Sequence, residues 1–258
     1  MFVFSSKKMS QATEINALKL FLQRFAELEN SLSVQKLERD LPRLRIFLSN
    51  FDQYERLAYR FQASTAPHFN VFETLRLSGR ETGLHTPFLA SLLDPGGAHC
   101  QGRLFFDDFL VHILGVKGQL NKYHDIQVFE EYHTPYGQID ILIKYKAGRQ
   151  QQAIVIENKI YAGDQEKQLQ RYHNFLSGTL RLPEEHFLLI YLCPFRCPPS
   201  IPHSISKEDY QRLKENGVLR ELGYREDISP MLERKIPEIK APVVTQTVRQ
   251  YIRTLKAF

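Results

Sequence analysis

Two short segments joined by a turn, Gly137-Gln-Ile-Asp-Ile-Leu-Ile-Lys144 and Ala153-Ile-Val-Ile-Glu-Asn-Lys159, decide the fold of this chain. Both are rich in β-branched apolar residues, which predicts two strands. Gly148-Arg149 between them suits a two-residue type II′ hairpin, because that turn takes glycine at its first central position. Unless a bulge intervenes, this register places Asp140 opposite Glu157.

The predicted register brings charged side chains together. Side chains alternate between the two faces of a strand, so Glu157, Lys159 and Asp140 share a face, with cross-strand Cβ atoms about 5 Å apart. Two carboxylates this close repel each other unless a proton or a cation intervenes, and hard oxygen ligands favour Mg²⁺ or Mn²⁺. A solvated strand face with a Glu–Lys pair is the alternative. The flanking isoleucines favour a mostly buried sheet, where unpaired charges are costly.

These motifs resemble the PD-(D/E)XK, or restriction-endonuclease-like, nuclease superfamily. Asp140 and Glu157-Asn-Lys159 match its D…ExK pattern, and Gln168-Leu-Gln-Arg-Tyr172 resembles the QxxxY element of the RecB-like branch. Ile139 stands where the superfamily's name has proline. The resemblance covers roughly residues 80–258 and implies an α/β fold, with an αβββαβ core around a mixed central sheet.

The resemblance also implies a metal site. Asp140 and Glu157, helped by the backbone carbonyl of Asn158, are expected to hold Mg²⁺ (or Mn²⁺), with Lys159 as the catalytic cation. An acidic residue or a histidine on an upstream helix often completes such a site. Glu81 is the first candidate, as a catalytic residue and metal ligand, and His85 is the reserve. Either is equally compatible with a helix cap or a satisfied polar contact.

The helix after the hairpin is expected to contact the substrate. Gln168 and Tyr172 are four residues apart and therefore lie on one helix face. By the resemblance, they position Lys159 and a nucleic-acid strand near the metal. Arg171, on the same helix, is a separate candidate for contact with phosphates. The alternatives are a core tyrosine and an exposed, solvated arginine.

The rest of the chain predicts two domains, an N-terminal helical extension (residues 1–70) and a nuclease-like domain (71–258). Helical spacing runs over residues 11–62, with a break at Ser31-Leu-Ser33. The predictions for the second domain are a loop at 67–72, a helix capped by Thr86, a helix over 104–113, a strand over 126–133, a helix capped by Asp164, strands at 186–193 and 218–228, and a final helix at 245–256.

Composition narrows the class of protein. The chain has 258 residues, 43% of them hydrophobic, and a net charge of +5, which fits a polyanionic partner. It lacks the run of about 18 apolar residues that a membrane span requires. Three cysteines are an odd count, so we expect no disulfide framework and a cytoplasmic location. The pair at 193 and 197 has no second pair to complete a zinc site.

The sequence therefore predicts a metal-dependent nuclease that hydrolyses phosphodiester bonds, with DNA favoured over RNA. The alternative is a catalytically silent subunit that binds nucleic acid or protein within a larger complex. The resemblance makes phage defence one setting for such a complex. A homodimer is expected if the nuclease cuts both strands, since that often needs two sites, and a partner protein bound through the N-terminal helices is the other expected partner.

Overall fold

The predicted hairpin lies at the centre of a five-stranded sheet. The structure is a computed structural model that describes residues 17–28 and 34–258. The strands stand in chain order across the sheet: β1 (Tyr123–Thr134), β2 (Gly137–Ala147), β3 (Gln150–Asn158), β4 (Phe187–Cys193) and β5 (Leu219–Gly223). β1, β2 and β3 pair antiparallel, and β4 and β5 add parallel to β3 through helical crossovers. The mixed sheet of the predicted αβββαβ core is confirmed.

The register of the central hairpin is also as predicted. Pairs run from Ala147↔Gln150 to Ile141↔Ile156, and Gly148 has φ +63°, the sign that a type II′ turn requires. The ladder ends one step before Asp140 would pair with Glu157. At that point the backbone N–H of Asn158 donates to Oδ2 of Asp140 instead, at 2.7 Å.

Helices cover both faces of the sheet, because alternate strand residues point to opposite sides. Ile141 and Ile156 belong to one core and Leu142 and Val155 to the other. Apolar residues of the first core also come from α2 (Val71–Thr74), α3 (Thr86–Leu93), α4 (Leu104–Asp108), α7 (Ser229–Lys235) and α8 (Pro242–Lys256). Those of the second core also come from α5 (Gln168–Asn174) and α6 (Lys207–Glu215).

The chain divides into two compact units, Met1–His68 and Phe69–Phe258. The first, which we call the helical unit, contains helical residues 17–28 and α1 (Val34–Thr65), with Pro42 inside α1. This agrees with the predicted helical spacing. The predicted break at Ser31–Ser33 and residues 11–16 lie outside the described residues. Within the described part of the chain, no helix is long and apolar enough to cross a membrane.

Two predicted helix caps are wrong, because longer-range partners occupy their side chains. Thr86 continues the helix from a π-helical turn at Glu81–His85 and therefore does not cap it. Its hydroxyl accepts a hydrogen bond from Nδ2 of Asn158 at 2.9 Å. Asp164 accepts from the hydroxyl of Tyr191 and the N–H of Ser200. The helix after it begins only at Gln168.

Other local predictions need correction. The strand expected over 218–228 ends at Gly223, whose N–H donates to Asp227 and so starts a helical turn over Tyr224–Ile228. The loop expected at 67–72 ends early, because α2 begins at Val71. The side chain of Asn70 caps that helix by accepting from the N–H of Phe72.

One local disulfide was not predicted from the sequence. Cys193 and Cys197 form a disulfide, with their Cα atoms 6.4 Å apart, because the loop after β4 turns back on the strand end. Such a local bond needs no framework of several pairs. Cys100 is free and exposed.

Candidate active site

The site is built where β2, β3 and α5 meet. Glu157, at the end of β3, is only 1% exposed. Its Oε1 accepts from Nζ of Lys159 at 2.6 Å and from Nε2 of Gln168 at 2.7 Å, and the hydroxyl of Tyr172 lies 2.8 Å from its Oε2. Both carboxylate oxygens are thus held by named donors, which fixes the orientation of Glu157 within an apolar sheet.

Gln168 and Tyr172 act as a pair on α5, as their four-residue spacing predicts. Nε2 of Gln168 lies 3.1 Å from the hydroxyl of Tyr172, and both residues are buried. The same hydroxyl lies 2.7 Å from the carbonyl oxygen of Gln138 on β2. Because a hydroxyl has one proton, it donates to either Glu157 or Gln138 but not to both at once. The pair therefore ties α5 to both strands of the hairpin.

Burial changes the acid–base chemistry of the two carboxylates. It raises the pKa of Asp140 to about 6, against the lowering effect of the Asn158 N–H. Burial, and next the charge of Asp140, raise the pKa of Glu157 to about 7. Burial disfavours the ammonium of Lys159, but the charge and hydrogen bond of Glu157 more than offset this and raise its pKa. The cluster thus contains two mutually repelling carboxylates beside one firmly charged ammonium.

Glu81 lies beside this cluster but is engaged by backbone. Its Oε1 accepts from the N–H groups of Ile160, Tyr161 and Ala162, at 2.6–2.9 Å. Burial alone would raise the pKa of this carboxyl, but the three N–H groups and the charge of Lys159 lower it overall. These hydrogen bonds fix the backbone of the loop that follows Lys159 to the side chain of Glu81.

His85, the reserve candidate, is a satisfied core residue. It is fully buried, with Nδ1 3.0 Å from the hydroxyl of Tyr251 and Nε2 2.9 Å from the carbonyl oxygen of Ser78. Burial lowers its pKa. Both ring nitrogens are occupied, so this is the polar contact that the sequence left open as the alternative.

A buried network behind the site was not predicted from the sequence. The side chain of Asn158, 0% exposed, points to the opposite face of β3 from Glu157. Its Nδ2 donates to Thr86 on α3, and its Oδ1 accepts from the hydroxyl of Tyr224 at 3.1 Å. With its N–H on Asp140, Asn158 links the first core to the carboxylates. No pattern in the sequence signals a side chain whose partners lie 66 and 72 positions away.

Arg171 lies at the edge of the same region, on α5. Its Nη2 donates to Oε1 of Gln165 at 2.8 Å, and its Nε is buried without a hydrogen-bond partner among the described residues. Gly137 has φ +124°, and a Cβ placed there would lie 3.3 Å from Nη1 of Arg171. Glycine therefore lets the guanidinium approach the turn between β1 and β2.

The donors fit a hard divalent cation. Among residues 17–28 and 34–258, no group of three or more His, Cys, Asp and Glu side chains is arranged around one point as a metal centre. Asp140 and Glu157 nevertheless supply two hard carboxylates, and burial, with the charge of Asp140 as the second cause, raises the pKa of Glu157. A cation between the two carboxylates would relieve their repulsion.

Comparison with known proteins agrees with this geometry. A family model described as the PD-(D/E)XK nuclease superfamily matches residues 69–254, which include every strand and all the site residues discussed above. Neither a curated protein nor a solved structure gave a significant match. The chain belongs to the PD-(D/E)XK nuclease superfamily, whose members are generally nucleases.

Proposed function

We propose that this protein is a metal-dependent nuclease that hydrolyses phosphodiester bonds, with DNA as its favoured substrate. One observation carries the proposal: Glu157 is buried with Lys159 against one of its oxygens and the Gln168–Tyr172 pair beside it. Asp140 is held next to it through the backbone of β3. This cluster lies within the segment that matches a nuclease superfamily.

Asp140 and Glu157, with the backbone carbonyl of Asn158, would hold Mg²⁺ or Mn²⁺. Such an ion, when bound, lowers the pKa of a coordinated water and polarises a phosphate oxygen. Glu157 is oriented by Gln168 and Tyr172 of α5, which both hydrogen-bond to its carboxylate. Pre-set ligands of this kind avoid reorganisation during the reaction.

Lys159 would supply the positive charge of the reaction. Its pKa is raised, so the ammonium is present at neutral pH. From beside Glu157 it would orient the attacking water or stabilise the negative charge that develops on the phosphate. The Glu81 carboxylate would act as a positioning group, because it holds the N–H groups that follow Lys159.

Nucleic-acid binding would rest on phosphate contacts. The chain carries a net charge of +5, and Arg171 lies beside the turn at Gly137 at the edge of the site. Phosphate contacts carry no base information, so binding is expected to be independent of sequence and to weaken steeply with salt.

A cleavage panel tests the proposal. The purified full chain would be incubated with linear and circular duplex DNA, single-stranded DNA and RNA, each with Mg²⁺, Mn²⁺ or EDTA. The proposal expects cutting with either metal and none with EDTA. Nucleic-acid binding without cutting in any metal would instead assign a catalytically silent binding subunit.

A further inference from the structure

The helical unit exposes an unusual amount of apolar surface. Nine large apolar side chains among the described residues of α1 expose 40–72% of their surface, and six of them lie along one stripe of the helix: Leu41, Phe47, Leu48, Phe51, Tyr54 and Phe61. A surface helix of a finished fold normally turns such a stripe towards a core. Among residues 17–28 and 34–258, no segment buries this stripe.

The spacing of the stripe is that of a helix that packs against other helices. Leu44, Phe47, Phe51, Tyr54, Ala58 and Phe61 alternate steps of three and four residues, as the a and d positions of heptads do. Leu41 and Leu48 stand at e positions and widen the stripe to the face of a bundle helix. The opposite side is more polar, with Ser49, Gln53, Arg56 and Arg60 beside Leu57 around a separate surface depression.

The helix at residues 17–28 lies beside this stripe without closing it. Ala17, Leu18, Phe21, Phe47, Leu48 and Phe51 line an apolar groove of about 460 Å³ between the two helices. Leu18, Phe21, Leu22 and Phe25 remain 44–59% exposed. Two helices with an open apolar groove form half of a helical bundle.

We propose that this groove and stripe are covered by the same surface of a second copy of the chain, which makes a homodimeric four-helix bundle. Six of these ten side chains are aromatic, and an aromatic side chain offers about 150–250 Å² when fully covered, so at about half exposure the six offer roughly 600 Å² per copy, to which the four leucines add. A standard stable interface needs about 800 Å² from each partner. The available apolar area is therefore sufficient for a stable dimer.

A second copy also fits the symmetry of the surface. Each copy contributes two helices, and two such pairs complete a four-helix bundle with one self-complementary contact. The heptad seam provides the knobs and holes for packing against an identical helix. One surface thus serves as both halves of the interface.

The test is the mass of the full chain in solution, measured by sedimentation and by light scattering over a wide concentration range without nucleic acid. The wild type is expected at twice 30.2 kDa. The double variant Phe47→Asp/Phe51→Asp is expected at the monomer mass with the second unit still folded, as judged by its thermal transition. The matched control is Ile46→Asp, which charges an apolar residue exposed on the other side of α1 and is expected to remain dimeric.

Three outcomes would overturn the proposal: a monomeric wild type at all concentrations, a dimer that survives the double variant, or equal dissociation of the Ile46→Asp control. Purification of the chain in a stoichiometric complex with a different protein would also overturn it. Because the mass measurement uses no substrate, its result does not depend on whether the protein is a nuclease. If the proposed function also holds, each dimer carries two sites, and the double variant should nick duplex DNA more than it cuts both strands.

Discussion

The ammonium nitrogen of Lys159 lies 2.6 Å from Oε1 of Glu157, two positions away along the chain. Glu157 lies one residue before the end of β3 and Lys159 directly follows the strand, while Gln168 of α5 donates to Glu157. In our account they have separate tasks, since the carboxylate holds the metal and the ammonium serves the reacting phosphate. Substitutions at the two positions should therefore affect metal binding and cleavage differently.

Replacing Lys159 should separate binding from catalysis. Lys159→Ala is expected to keep Mg²⁺ or Mn²⁺ affinity within several-fold and to lower the cleavage rate by a factor of about 100 or more. Calorimetry and a single-turnover cleavage assay would measure the two quantities. Lys167→Ala, which removes an exposed lysine, is the matched control and should cut like the wild type. Unchanged cleavage by the Lys159 variant would contradict the role of its ammonium.

The raised pKa of Asp140 predicts a pH-dependent stability in the metal-free protein. The unfolded chain loses this proton near pH 4 and the folded chain near pH 6, so between these values the folded state binds more protons. The free energy of unfolding should then fall as pH rises from 4 to above 6, because the folded protein must carry a buried charge. Asp140→Asn removes that charge and should stabilise the metal-free protein by about 1–3 kcal/mol at pH 8.

Urea denaturation in EDTA at pH 4 and at pH 8 measures this effect. The gain from Asp140→Asn should shrink to a small fraction at pH 4, where the wild-type carboxyl is protonated in the folded state and only about half ionised in the unfolded chain. An equal gain at both pH values would point to packing rather than charge. Saturating Mg²⁺ should reverse the order at pH 8, because only the wild type retains both carboxylate ligands.

The buried network around Asn158 should support the metal site from behind. Asn158→Ala leaves the hydroxyls of Thr86 and Tyr224 without their buried partner, so it should lower the free energy of unfolding by about 1–3 kcal/mol. It should also weaken metal binding, because β3 is less firmly held beside Asp140. Thr86→Val removes only one of these bonds and should show a smaller loss of both quantities. If the Asn158 variant is less stable but binds metal as tightly as the wild type, the network contributes to folding and not to the metal site.

Glu81 can be tested as a positioning residue against its predicted role as a ligand. Glu81→Gln keeps an oxygen that accepts the N–H groups of residues 160–162, so metal affinity should stay within several-fold of wild type. Glu81→Ala removes that acceptor and should speed hydrogen exchange at those amides, with a slower kcat. Loss of metal binding in the Gln variant would instead make Glu81 a metal ligand.

The sequence predicted the parts of the site that depend on local spacing. The hairpin register follows from one turn, Gly148-Arg149, and from strand alternation, and these place Asp140, Glu157 and Lys159 together. The four-residue spacing of Gln168 and Tyr172 likewise put both on one helix face. Such relationships need only the geometry of one hairpin and one helix.

The remaining features depend on contacts between distant segments. Asp164 and Thr86 have the residue type of a helix cap, but tertiary partners take their side chains instead. The environment of Asn158 combines α3 with the turn at Tyr224, and the Cys193–Cys197 disulfide depends on the path of one loop. Propensity and periodicity do not encode these choices, because packing decides among several local solutions.

The most direct measurement combines metal titration and DNA cleavage for the wild type and Glu157→Gln at pH 8. The neutral isostere keeps the size of the side chain and an oxygen for Gln168 and Lys159, so the fold should persist, as circular dichroism would confirm. We expect the wild type to bind Mg²⁺ or Mn²⁺ and to cut DNA, and the variant to lose both metal binding and cleavage. Metal-dependent cutting by Glu157→Gln at the wild-type rate would contradict the account.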